Sequence, residues 1–143
     1  MPQARGRILA LDLGSRRIGL ALSDELGITA QGLPTLHRET RQQDLDSLRS
    51  VVTQRQVEQI VVGHPVNMNG SEGPRCQSTR AFVTNLLARI DMPVSFWDER
   101  LSTAAVERVL IQEADLSRKR RNRALDKMAA AFILQGALDR MKN

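Results

Sequence analysis

Two short apolar segments separated by four residues open the chain, and they constrain its fold more than any other feature. Ile8–Leu13 and Ile18–Leu22 are each long enough for one strand, and residues 14–17 between them are polar and begin with glycine. Two apolar runs joined by a short polar turn predict a β-hairpin. A third extended segment, 28–36, contains a glycine and a proline. It is predicted to be an edge strand, because proline cannot donate a hydrogen bond within a sheet.

Helical and extended patterns alternate in the rest of the chain. Thr40 and Gln43 form a predicted capping box, and Ile60–Val62 and Pro93–Trp97 have the composition of short strands. Apolar residues at helical spacing predict four helices, and Ser102 is the predicted N-cap of the third. The apolar faces of the first two are Leu45, Leu48 and Val52, and Phe82, Val83, Leu86, Leu87 and Ile90. Those of the last two are Val106, Val109 and Leu110, and Leu125, Met128, Ala129, Phe132 and Ile133. This order predicts one α/β domain over residues 1–143. Its five-stranded mixed sheet has three antiparallel strands followed by parallel ones and is flanked by helices.

The composition favours a nucleic-acid partner. Lysine and arginine together number 21 against 16 acidic residues, which gives a net charge of +5. Arginine, the more abundant of the two, can bind phosphate through two parallel hydrogen bonds. A genome rich in G and C, whose codons favour arginine, explains the abundance of arginine equally well. We find no signal peptide or membrane-spanning apolar segment, so we expect a cytoplasmic protein without a membrane partner. A single cysteine and two histidines argue against a zinc site.

Three acidic residues stand where a metal-dependent nuclease needs carboxylates. Asp12 lies in the first apolar run, Glu99 follows the last predicted strand, and Asp126 begins the last predicted helix. Alternation along a strand places Asp12 on one face with Ile8 and Ala10. A buried carboxylate is costly unless it is paired or bound to a metal. If the carboxyl ends of parallel strands meet at one edge, the three acids converge there and can hold Mg²⁺ or Mn²⁺. Two such ions about 3.5–4 Å apart can clamp a phosphodiester for in-line attack by water.

Each acid also has a simpler interpretation when it is considered alone. Asp12 can cap the turn that follows it, and Glu99 can pair with Arg100 on the surface. Asp126 would be favourable in the first turn of a helix because of the helix dipole. The hypothesis of a catalytic metal site therefore depends on the convergence of all three.

Several cations and one polar loop are candidates for binding nucleic acid. Their simpler role is that of solvated turns or linkers, and Arg100 can equally pair with Asp98. The basic run at residues 118–123 is predicted to be an exposed, mobile connector before the last helix. The candidates are Arg16 and Arg17 in the first turn, Asn67 and Gly70 in the polar loop, Arg75 at the start of a helix, Arg100, and Arg118, Lys119, Arg120, Arg121 and Arg123 in the basic run.

Four segments carry a resemblance to a known family. They are ALDLGSRRIGLALSD at 10–24, VVGHPVNMNGSEGP at 61–74, DERLST at 98–103 and LDKMAA at 125–130. Together they resemble the YqgF/RuvX family of Holliday-junction-resolvase-like nucleases, which belongs to the RNase H-like superfamily. The resemblance extends over nearly the whole chain. It implies an RNase H-like fold and places the family's acidic triad at Asp12, Glu99 and Asp126. The chain departs from the family pattern at His64, where leucine is expected.

The resemblance implies a role in maturing the 5′ end of 16S ribosomal RNA, with pre-rRNA and ribosomal particles as partners. Two alternatives stay open: a resolvase of four-way DNA junctions, and a non-catalytic module that binds RNA or the transcription machinery. An actin-like ATPase needs two such domains, which 143 residues do not supply. Junction cleavage needs two sites in a symmetric dimer. The sequence predicts no dimer interface, so we expect a monomer or a weak dimer.

Overall fold

The structure is a computed structural model that describes residues 6–67, 69–99 and 118–142, with the backbone alone for 118–127 and 142. It contains five strands and three helices within these ranges. In chain order they are β1 (Arg7–Leu13), β2 (Arg17–Ser23), β3 (Ala30–His37), α1 (Arg41–Gln54), β4 (Val57–His64), α2 (Pro74–Leu87), β5 (Val94–Asp98) and α3 (Arg118–Lys142).

The five strands form one mixed sheet in the order β3-β2-β1-β4-β5. Strands β1, β2 and β3 are antiparallel neighbours, whereas β4 pairs in parallel with both β1 and β5. The predicted mixed sheet is therefore confirmed, and β3, which contains Pro34, is at its edge. Parallel pairing places the carboxyl ends of β1, β4 and β5 along one edge of the sheet, which we call the carboxyl edge.

Helices cover both faces of the sheet, and strand alternation sorts the apolar side chains between them. On one face Leu9 and Leu11 of β1 pack with α1 and α2; we call this the α2 face. On the other, Ile8 and Ala10 pack against α3, and we call it the α3 face. The α3 side chains buried there are Ala129, Ala130, Ile133, Leu134, Ala137 and Leu138.

Local sequence accounts for the start of both helices on the α2 face. Thr40 accepts a hydrogen bond from Gln43 N–H while the Gln43 side chain accepts one from Thr40 N–H, which confirms the predicted capping box. Helix α2 begins at Pro74 after an N-cap at Gly73. Proline suits this first position because the missing N–H would have no partner within the helix.

Three details of the helices differ from prediction. Leu87, predicted on a buried face, is half exposed. The basic run is helical from Arg118, so the prediction of a connector before the last helix is wrong. Arginine and lysine have high helix propensity, and charge excludes residues from a core without breaking a helix. Asp126 consequently lies eight residues into the described helix rather than in its first turn. The helix predicted after Ser102 falls at 100–117, outside the described residues.

Within the described ranges, we find no helix that combines the length and the apolar character required to span a membrane.

Candidate active site and arginine cleft

Asp12 lies at the carboxyl end of β1, one residue before the strand ends. The strand pairs with β4 as far as Leu11 and Val62, so Asp12 and Gly63 are the next positions along two adjacent parallel strands. Alternation after Ala10 places Asp12 on the α3 face, and its side chain is half buried.

Glu99 reaches the same face from the other side of β4. It directly follows β5, and its side chain is only 8% exposed. A Cβ atom added to Gly63 would lie 2.9 Å from Glu99 Oε1 and 2.7 Å from Ile133 Cδ1. The carboxylate therefore lies over the glycine backbone, beneath α3. Because β4 is the neighbour of β1, Glu99 lies over the strand adjacent to that of Asp12, at the carboxyl edge.

Asp126 belongs to the helix that covers these two acids. It precedes Ala130 by four residues and Ile133 by seven, so helical periodicity places all three on one stripe of α3. Ile133 on this stripe contacts the Gly63–Glu99 region. The backbone of Asp126 thus lies on the stripe that faces the site, about two turns before the point of contact.

The composition of this edge suits a hard divalent cation. Asp12 and Glu99 offer oxygen atoms alone, and both are partly or fully shielded from water. Mg²⁺ and Mn²⁺ prefer oxygen ligands of this kind. The residues present therefore fit the metal that the sequence predicts.

A cleft of about 680 Å³ opens on the α2 face at the same end of β1. We call it the arginine cleft, because four arginines line it. Its wall also includes the first turns of α2 and Phe82. The lining residues are Leu13, Gly14, Ser15, Arg16, Arg17, Arg38, Pro74, Arg75, Ser78, Thr79 and Phe82. The structure thus brings together three cations predicted to bind nucleic acid, Arg16, Arg17 and Arg75.

Arg38 braces this cleft, although sequence reasoning did not single it out. Its Nη1 donates a hydrogen bond of 2.7 Å to the Gly14 carbonyl, and its Nε lies 3.4 Å from Asp44 Oδ2. The guanidinium also lies over the Phe82 ring, 5.4 Å from its centroid. Asp44 is itself buried and accepts a hydrogen bond from Glu39 N–H. These contacts tie the β1–β2 turn to α1 and α2.

The other predicted nucleic-acid ligands lie elsewhere. Asn67 and Gly70 belong to a loop that is held by its own hydrogen bonds. Gly70 N–H donates to the Asn67 carbonyl, and Asn67 Nδ2 donates to Ser71 Oγ. Neither lines the arginine cleft. Arg100 lies outside the described residues. The cations of the basic run are on the first turns of the described α3, where the backbone alone is described.

His64 ends β4 on the α2 face, directly after Gly63. It is 9% exposed, its ring centroid lies 5.1 Å from that of Phe96, and its Nε2 lies 3.3 Å from Glu72 Oε1. Glu72 also receives two hydrogen bonds from Arg80, of 2.7 and 3.0 Å. These bonds, more than the contact with His64, lower the pKa of the Glu72 carboxyl.

Sequence reasoning also overlooked Gly63, although a signal for it exists. A glycine inside an apolar, β-branched strand often marks a place where other atoms approach the backbone closely. Here the approaching atoms belong to the Glu99 carboxylate and to α3. For Arg38, by contrast, we find no local signal, because its partners Gly14 and Phe82 are distant in sequence.

Comparison with known proteins identifies relatives over almost the whole chain. The family "RuvX: Holliday junction resolvase" matches residues 6–140. A protein of Paramagnetospirillum magneticum named "Putative pre-16S rRNA nuclease" is 56% identical over 133 residues, which cover 93% of this chain and 85% of the relative. A protein of the same name from Halothermothrix orenii is 53% identical over 133 residues, which cover 93% and 94%.

Two solved structures share the fold at low sequence identity. The structure "T. thermophilus RuvC in complex with Holliday junction substrate" superposes with a TM-score of 0.54 at 13% identity and covers 96% of each chain. The Holliday junction resolvase of fowlpox virus superposes with a TM-score of 0.50 at 17% identity, covering 95% of this chain and 98% of the other. The predicted RNase H-like fold is thereby confirmed.

Proposed function

This chain belongs to the RuvX family, and we propose that its nuclease site is a divalent-metal centre formed by Asp12, Glu99 and Asp126 that cleaves pre-16S ribosomal RNA. It is a hydrolase of phosphodiester bonds, as its family and its many relatives named as nucleases indicate. The metal, the three ligands and the RNA substrate are what we propose.

The placement of Glu99 is the observation on which the metal site depends. Its shielded carboxylate lies over Gly63, one strand from Asp12 and on the same face of the sheet. A surface salt bridge, the simpler interpretation of Glu99, does not require this burial. Two acids on adjacent positions of the carboxyl edge form the kind of site in which open α/β sheets bind ligands.

Bound Mg²⁺ or Mn²⁺ would supply an activated water and stabilise the charge on the leaving oxygen. The role of the chain is to hold oxygen ligands in place. Strand β1 fixes Asp12, and the close contact with Gly63 and α3 restricts the rotamers of Glu99. Helix α3 carries Asp126 on the stripe above them. No covalent intermediate on the protein is required.

We further propose that the arginine cleft binds the backbone of the substrate strand. Asp12 and Leu13 are consecutive, yet one faces α3 and the other lines the cleft on the α2 face. A strand that crosses the carboxyl edge at this point therefore reaches both the carboxylates and the arginines. Phosphate contacts of this kind set affinity and register without reading bases.

Pre-rRNA is the proposed substrate because the names of the relatives specify it. The scarcity of aromatic residues, which are 3% of the chain, agrees with recognition of backbone and shape more than of stacked bases. Maturation of the 5′ end, association with ribosomal particles, action in the cytoplasm and a monomeric or weakly dimeric state are parts of the same proposal. A four-way DNA junction is the second candidate, favoured by the family's description.

The test is a cleavage assay of the purified protein on end-labelled 16S precursor RNA and on a four-way DNA junction. Each substrate is incubated with Mg²⁺, with Mn²⁺ or with a chelator, and the Asp12→Asn variant serves as the inactive control. We expect metal-dependent cleavage of the RNA at a defined position. Cleavage of the junction alone would replace the proposed substrate. Tight RNA binding without cleavage under any metal would favour the non-catalytic binding module.

A further inference from the structure

Three side chains that are typical metal ligands converge on the α2 face, away from the carboxylates. His64 ends β4, Glu72 lies in the following loop, and Cys76 is the third residue of α2. One potential ligand atom from each lies within 4.8 Å of the other two. We call these residues the mixed-donor cluster.

Two of the three side chains in the cluster are buried, as ligands in metal sites usually are, and are not scattered over the surface. Cys76 is fully buried and His64 is nine-tenths buried, both on regular secondary structure. Glu72 is exposed, so the cluster is open to solvent on one side. A divalent ion therefore has a route of entry from solvent, which can also supply a water as the fourth ligand, as in zinc sites with three protein ligands.

An unsatisfied polar atom is a second and independent observation. His64 Nδ1 is buried and makes no hydrogen bond within the described part of the chain, while Nε2 faces Glu72. Buried polar atoms without partners are rare and call for an explanation. The imidazole of His64 lies near a thiol and a carboxylate, and one of its nitrogens has no hydrogen-bond partner among the described residues. A metal ion bound by these groups would be consistent with both observations.

Arg80 holds the carboxylate of the cluster in position. Its guanidinium donates to both oxygens of Glu72 and lies over Phe96, which in turn contacts His64. Residues that orient a ligand without touching the metal are a regular feature of metal sites.

We propose that His64, Glu72 and Cys76 bind a borderline-soft divalent cation of the Zn²⁺ type. Sulfur, imidazole nitrogen and carboxylate oxygen form a donor set that selects zinc over magnesium, whereas Asp12 and Glu99 offer oxygen alone. The thiol proton leaves to solvent as the Cys76 sulfur binds the ion, and one ring nitrogen of His64 and one carboxylate oxygen of Glu72 each form a bond to it. The ion would link the end of β4 to the loop before α2. This inference does not depend on the carboxylates being catalytic.

The test uses Co²⁺ as a spectroscopic probe of the full-length protein, with Mg²⁺ in excess to occupy the carboxylate site. We expect one equivalent of Co²⁺, visible as thiolate-to-metal charge-transfer absorption and displaced by Zn²⁺. Glu72→Gln and His64→Leu should each weaken binding at least about tenfold, and Cys76→Ser should abolish the absorption. Asp12→Asn and the exposed Asp46→Asn should leave both the affinity and the absorption unchanged.

The choice of variants keeps the test valid even if one substitution prevents folding. Glu72 is exposed, so Glu72→Gln keeps the inference testable if a change at buried Cys76 prevents folding; metal-free melting curves check this. No charge-transfer absorption at saturating Co²⁺ would overturn the inference. Absorption that survives both Glu72→Gln and His64→Leu would show binding to the thiol alone. Loss of Co²⁺ in Asp12→Asn would place the ion at the carboxylates instead, and would overturn this inference without affecting the proposed nuclease site.

Discussion

The two faces of the sheet meet at the carboxyl edge of β1 but differ in their chemistry. On the α3 face, Asp12 and Glu99 are shielded carboxylates confined by Gly63 and a helix. On the α2 face, an open cleft of about 680 Å³ is lined by four arginines, of which Arg38 is braced by neighbouring groups. Reaction chemistry benefits from groups fixed in a shielded place, whereas backbone binding tolerates exposed and adjustable cations. This difference supports the proposal that the first face carries the chemistry and the second binds the substrate.

The largest effect should follow from removing one carboxylate. Asp12→Asn, Glu99→Gln and Asp126→Asn should each fold normally and lose cleavage by about 10²–10³-fold, because an amide is a poor ligand for a hard cation and metal stabilisation of the transition state is worth several kcal/mol. Single-turnover rates at saturating substrate and metal measure the loss. The matched control is Asp46→Asn, an exposed carboxylate paired with Arg89. Retention of the wild-type rate by any of the three variants would remove that residue from the site.

A smaller loss should follow from filling the space above β4. A Cβ at Gly63 would lie 2.9 Å from Glu99 Oε1 and 2.7 Å from Ile133, so Gly63→Ala should displace the carboxylate and reduce the metal-dependent rate about tenfold, the scale on which changes beside metal ligands act. In Gly73→Ala, the control, the new methyl group is 3.5 Å from Asn67 Nδ2, an ordinary contact. Rates are compared over a titration of Mn²⁺. If both alanine variants behave alike, the contact between Gly63 and Glu99 does not hold the site.

The arginine cleft should affect affinity more than rate. Arg16→Gln and Arg75→Gln should weaken RNA binding and flatten the plot of log affinity against log salt by about 0.7–0.9 per lost phosphate contact, since each contact releases a condensed counterion. Cleavage at saturating substrate should fall far less. Arg89→Gln, a change at a cation paired with Asp46 away from the cleft, is the control.

The same measurement compares the cleft with the basic run. Neutralising Arg118, Lys119, Arg120, Arg121 and Arg123 together should also flatten the salt dependence, uniformly over substrate sequences. If turnover at saturating substrate collapses in either set of variants, one of the substituted cations stabilises the transition state. That result would contradict the proposal that the arginines only bind the substrate. An unchanged salt slope would show that the substituted cations do not contact phosphate.

The smallest effect concerns the exposed ion pair of the α2 face. The pKa of Glu72 lies below its ordinary value of 4.5, chiefly because Arg80 donates hydrogen bonds to it. A carboxyl whose pKa is lowered in the folded state stabilises that state above its ordinary pKa and loses this effect as the pH falls through the lowered value. Glu72→Gln should therefore lower the melting temperature slightly at pH 7 in metal-free protein, and the difference should shrink below about pH 4 and in high salt. A difference that persists at pH 3 would have another cause.

Much of the active edge could be predicted from short-range pattern. The two-residue period of β1 placed Asp12 with Ile8 and Ala10, and the structure packs Ile8 and Ala10 against α3. Asp126 lies on α3 as predicted, although the helix extends further towards the N-terminus than predicted, and its place in the site stays a prediction. The error over the basic run arose because charge composition determines solvent exposure and says little about the backbone.

The sequence by itself therefore determined that three antiparallel strands precede the parallel ones, which residues of β1 share a face, and that acidic residues follow the strands, because these features depend on residues a few positions apart. Only the tertiary structure decided that Glu99 lies over Gly63, that Arg38 joins the cleft and that His64, Glu72 and Cys76 converge. These contacts depend on the register between strands and on the path of loops. Both are set by the packing of segments distant in sequence, and no local pattern records that packing.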